Sequence, residues 1–110
     1  MEMNQIKQQL SQVEQVISRA SQAVQGDQSA PQELKDCVKE LNTQSKEARQ
    51  LLQDGAAEDP SELMQCIDDM EQTSDRAKQA CESAKSLGAQ AKTAIQQAHD
   101  KLSQLKHQLH

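Results

Sequence analysis

No phenylalanine, tyrosine or tryptophan occurs in the 110 residues of this chain. That absence removes the rings on which sugars, bases and flavins stack, and leaves Leu, Ile, Val, Met and Ala to build any core. Those side chains fill helix seams well and make poor sheet material. Glycine (three) and proline (two) are too scarce for a β-rich or loop-rich fold. Gln, Ala, Glu, Lys and Leu dominate instead, all of them helix formers, so the composition predicts an all-α protein. Hydrophobic residues make up only 35% of the chain, which implies a single domain with a thin core.

Positive charge is also short. With 12 Lys and Arg against 17 Asp and Glu the formal net charge is −5, and the basic residues are scattered. A nucleic-acid partner is excluded on that ground, because neutralising phosphates needs clustered Lys and Arg. Long apolar runs are missing as well, and none approaches the ~20 residues of a membrane span. The opening MEMNQIKQQL has an acid at Glu2 and polar residues throughout, unlike a secretory signal, so a cytoplasmic location is expected.

What is present is a heptad seam. Met3, Ile6, Leu10, Val13, Ile17, Ala20 and Val24 alternate steps of three and four, with Val16 and Ala23 widening the stripe. QGDQ at residues 25–28 interrupts it, with Gly26 where a left-handed C-cap would sit, so a first helix is predicted over about 2–25. Ser29 as cap, Pro31 in the first turn and Gln32 at the capping-box position predict a second helix over about 30–54. Its seam is Leu34, Val38, Leu41, Ser45, Ala48 and Leu52, flanked by Cys37 and Leu51, and Gly55 stops it. Asp59 and Pro60, with Glu62 following, are the strongest start signal in the chain, and a third helix is predicted from 60.

From there Leu63, Ile67, Met70, Ser74, Ala77, Cys81, Ala84, Gly88, Ala91, Ile95, Ala98, Leu102, Leu105 and Leu109 keep one phase. Two architectures fit that phase. If Gly88 ends the third helix at about 87 in a left-handed cap, a fourth helix over 89–109 folds back. The result is an antiparallel up-down-up-down four-helix bundle. If the helix instead runs unbroken from 60 to 109, two short helices pack on one long one and a second chain must cover its outer half. Near-equal segment lengths favour the bundle, hence a monomer, with a homodimer as the alternative. The weak point is that no Ser, Thr, Asp or Pro stands ready to cap residue 89.

The chain has no Gly-rich phosphate loop, no Gly-x-Ser-x-Gly and no His-Glu-x-x-His, and a thin core offers little room for a dry pocket. A non-enzymatic protein without cofactor or metal is expected. Cys37, Cys66 and Cys81 form no Cys-x-x-Cys, and their odd number reads as free, packed thiols. Cys37 and Cys81 are nonetheless a candidate redox pair, because antiparallel second and third helices would bring them near one level. Of His99, His107 and His110 only the last two share a face, too few for a metal site.

Asp68, Glu71 and Asp75 line one face of the third helix, with Arg76 and Lys78 alongside, and form a candidate docking face for a basic protein. Acids exceed bases by four over residues 26–60 and by three over 61–87, whereas residues 88–110 carry three lysines and one acid, Asp100. That layout steers a basic partner toward the middle of the chain. The expected function is therefore protein–protein interaction by a small acidic helical protein. Two other readings are a self-associating coiled-coil structural module and an amphipathic helical protein on a lipid surface. The lipid reading is disfavoured by polar faces that are Gln-rich and acidic, without the basic flanks and aromatic anchors of interfacial helices.

Overall fold

The computed structural model describes residues 3–53, 61–84 and 87–109, of which 3 and 109 are described in backbone only. They form α1 (Met3–Gln25), α2 (Gln32–Gln53), α3 (Ser61–Ser83) and α4 (Ala89–Leu109). The expected stop at Gly55, the start at Asp59 and Pro60, His110, and the side chains of Met3 and Leu109 lie outside the described residues. At 1.5 Å per residue each helix is about 32–35 Å long.

The helices are arranged in a square. α1 and α3 each neighbour α2 and α4, while the diagonal pairs make no close backbone approach. Neighbours run in opposite directions: Glu71 meets Lys106 whereas Asp75, one turn further along α3, meets His99, almost two turns earlier on α4. This is the antiparallel four-helix bundle, and the long unbroken helix is ruled out. The radius of gyration of 13.8 Å suits a folded-back chain of this length.

The heptad phase buries most of the residues it predicts, although Leu52 and Ala84 are half-buried and Gly88 is exposed. Ile6, Leu10, Val13, Val16 and Ile17 of α1 join Leu41, Ala48, Leu63, Ile67, Met70, Ala98, Leu102 and Leu105 in one cluster. Ala20, Val24, Leu34, Val38, Ala77, Ala91 and Ile95 belong to a second cluster, richer in alanine, toward the other end. Ser45, Thr73 and Ser74 are buried without loss, because each hydroxyl donates to a carbonyl of its own helix at 2.7–3.0 Å: Asn42, Asp69 and Glu71 respectively.

The expectations for the ends of the helices need correction. α3 stops at Ser83, not near 87. The Ala84 N–H donates to the Cys81 carbonyl at 3.2 Å and the Leu87 N–H to that of Ala84 at 3.3 Å, a tightening that swings Leu87 into the core and leaves Gly88 exposed. Neither Gly26 nor Gly88 adopts left-handed backbone. Gly26 still donates to Gln22 at 3.0 Å, a helical bond, and the Gly88 carbonyl accepts the Lys92 N–H at 3.1 Å, which makes it the N-cap of α4 rather than the C-cap of α3.

Asp27 organises this end of the bundle by accepting N–H groups. Its Oδ1 accepts the Ser29 N–H and its Oδ2 the Gly88 N–H, both at 2.8 Å, so one carboxylate ties together two connections at the same end of the bundle. Ser29 therefore donates its backbone N–H instead of capping with its hydroxyl. α2 begins two residues later than expected, with Lys35 donating to the Pro31 carbonyl at 3.1 Å. Gln32 reaches forward to Asp36 at 2.9 Å, not back as a capping box would require.

Candidate functional site

Helical phase distributes the surface charges among the four grooves of the bundle. On α2, Glu33, Asp36, Glu40 and Glu47 recur at steps of three, four and seven, and so form a single stripe. Lys35, Lys39, Lys46 and Arg49 recur at four, seven and three on the other side of the buried seam. Contacts orient the two stripes. Glu40 meets Arg76 of α3 at 2.9 Å, and Arg49 meets Glu14 of α1 at 3.7 Å. The acidic stripe thus borders the α2–α3 groove and the basic stripe the α1–α2 groove.

α3 contributes Glu62 and Asp69 to the acidic side, one heptad apart and one heptad before Arg76. Among the described residues six carboxylates therefore flank this groove against a single base, Arg76, which Glu40 and the Thr73 hydroxyl already hold at 2.9 and 3.2 Å. Two buried thiols lie beneath. Burial pushes the Cys37 thiol up, with Arg76 opposing and Glu33, Glu40 and Asp36 reinforcing. Burial, then Glu47 and Asp69, push Cys66 up to about 11, and its Sγ–H donates to the Gln44 carbonyl at 3.4 Å. Each thiol reports the carboxylates above it, at opposite ends of one acidic groove.

Asp68, Glu71 and Asp75 do share a face, as their spacing predicts, but it is turned toward α4. Lys106 Nζ lies 3.5 Å from Glu71 and 3.9 Å from Asp68, and His99 Nε2 donates to Asp75 at 2.6 Å. His99 Nδ1 is buried without a hydrogen bond, the Asp100 carboxylate standing 3.7 Å away. These carboxylates join α3 to α4, Asp68 and Glu71 sharing Lys106 and Asp75 accepting from His99. The spacing shows the face; it cannot show which helix lies against it.

The α1–α4 groove differs again. Shallow depressions of about 510, 360 and 600 Å³ follow one another along it, lined chiefly by glutamines such as Gln5, Gln12, Gln97 and Gln108. Its charged lining residues are Arg19, Asp100 and Lys101. Among the described residues no group of three His, Cys, Asp or Glu side chains is arranged to hold a metal ion, and no helix is long and apolar enough to cross a membrane.

Cys37 and Cys81 are both buried free thiols. They answer to different charges: Cys37 to the acidic stripe, Cys81 to Lys92 and Glu82 around a depression between α3 and α4. Burial raises both above the ordinary thiol value, which leaves little thiolate for exchange. Thiol titration of denatured, unreduced protein is expected to find all three cysteines reactive. A single reactive group would establish a bridge.

The acidic stripe is the feature that the charge count by segment conceals. Within α2 four acids and four bases cancel in number while separating in angle. The signal that finds them is the spacing 33, 36, 40, 47 set against 35, 39, 46, 49. Comparison with protein families, curated proteins and solved structures finds no match to this chain.

Proposed function

We propose that the protein is a non-enzymatic binding module that receives a basic protein segment in the α2–α3 groove. The observation that carries this reading is the six-to-one excess of carboxylates there, with the bases of the same helix displaced to the α1–α2 side. A one-sign groove steers a cationic partner during encounter and rejects an anionic one, a larger effect on association rate and specificity than on final affinity. Exposed pairs contribute about 0.2–1 kcal/mol each, so the groove works through several at once.

The test uses a fluorescent oligolysine peptide and anisotropy. Replacing Glu33, Asp36, Glu47 and Asp69 together by Gln or Asn is expected to weaken binding roughly tenfold or more and to flatten its salt dependence. Neutralising Asp68, Glu71 and Asp75 should leave binding unchanged, because their partners are Lys106 and His99. If the second set governs binding and the first does not, the docking face lies between α3 and α4 and this assignment fails.

A further inference from the structure

We infer that the basic segment suited to the α2–α3 groove is the basic stripe of α2 in a second copy of this chain. The inference rests on the proposed role of the groove and names its occupant. Both stripes cover 15 residues, Glu33 to Glu47 and Lys35 to Arg49, a rise of about 21 Å from first to last. Laid antiparallel, they match in register. Arg49 of the second copy stands opposite Glu33, its Lys46 opposite Asp36, and its Lys35 opposite Glu47. The remaining carboxylate, Glu40, is the one that already holds Arg76. The facing side chains are available: Glu33, Asp36, Lys46, Glu47 and Arg49 are exposed and Lys35 is half-exposed.

The contact joins two different surfaces, so each copy that docks still offers a free groove and a free stripe. Such a heterologous contact grows beyond a dimer unless it closes into a ring. A net charge of −5 opposes it only at long range. At about 0.1 M salt the Debye length is ~10 Å. That is less than the 18 and 21 Å cross-section of the bundle, so a docking copy responds to the stripe it faces rather than to the whole molecule. At about 0.01 M the screening length is ~30 Å and the net repulsion spans the particle; at about 1 M the stripes themselves are screened. Association is therefore strongest at intermediate salt, unlike hydrophobic association, which salting-out strengthens.

Sedimentation velocity tests this at concentrations rising toward millimolar. Wild-type protein at about 0.1 M salt is expected to sediment faster as concentration rises, and to be monomeric at about 1 M. Lys35→Glu/Lys46→Glu and Asp36→Lys/Glu47→Lys should each be monomeric. Mixed in equal amounts they should associate again in alternation, because the acidic groove of the first meets the intact basic stripe of the second and the two reversed surfaces are likewise opposite in charge. Circular dichroism confirms that both fold, and the neutral Lys35→Gln/Lys46→Gln variant, also expected to be monomeric, guards against misfolding of the reversed ones. A wild type that stays monomeric at about 0.1 M, or variants that associate as it does, would overturn the inference. Oligolysine separates this failure from that of the groove: binding by a monomeric wild type leaves the groove standing and removes only the second copy as its occupant. No binding removes both.

Discussion

Leu102→Ala is expected to destabilise the bundle by about 2–5 kcal/mol, the range for truncating a fully buried leucine. The side chain is 0% exposed and sits in the cluster with Leu10, Val13, Leu63 and Met70. A domain of this size has about 5–15 kcal/mol of stability in total, so one such cavity removes a large share of it. The absence of aromatics sharpens the effect, since no large ring stands nearby to swing into the space. Leu52→Ala, at a half-buried position beside the same cluster, should cost much less. Urea denaturation is the measurement: the midpoint should fall for Leu102→Ala with the slope unchanged. A loss below about 1 kcal/mol would mean that the helices collapse onto the vacancy and that the cluster is not tightly packed.

The residues of that cluster were legible in the sequence because burial in a bundle follows local phase. Leu34, Val38, Leu41, Ser45 and Ala48 point inward for reasons contained in α2 alone, and even Ser45 obeys the phase because its hydroxyl bonds within the helix. The turn near Gly88 was not legible in the same way. The phase from Leu63 to Leu105 is identical whether the helix continues or folds back, so periodicity carries no information about the break. What decides it is Asp27, 61 residues away in sequence, which supplies the cap that the residues around 89 lack. The surface divides along the same line. The spacing of Asp68, Glu71 and Asp75 shows a shared face, whereas its closure by Lys106 and His99 depends on which helix packs beside it. The acidic and basic stripes of α2 are fully local. They emerge once charges are counted by angle instead of by segment.

Asp27→Ala should cost more stability than the loss of an ordinary exposed carboxylate. Its carboxylate serves two backbone N–H groups at once, and it places negative charge at the N-terminus of α4, where the helix dipole favours it. Hydrogen bonds from Gly88, then Ser29, hold its carboxyl below the ordinary value of 3.8. A carboxyl depressed in the folded state contributes stability above that ordinary value and loses it as pH falls through the lower folded value. Melting temperatures of wild type and Asp27→Ala should therefore differ most near neutral pH and converge in strong acid. A difference that persists unchanged below the folded value would show that the carboxylate charge is not what matters. Gly88→Ala supplies the complementary test. A Cβ there would lie 3.1 Å from Asp27 Oδ2, and alanine is a poorer N-cap than glycine, so a cost of about 1 kcal/mol is expected. The left-handed cap expected from sequence predicts the same sign for a different reason. The two causes separate in the double variant, because removing Asp27 removes the crowding and should shrink the cost of Gly88→Ala. An undiminished cost would place the effect in the glycine's own backbone, and the carboxylate would no longer explain why α4 begins where it does.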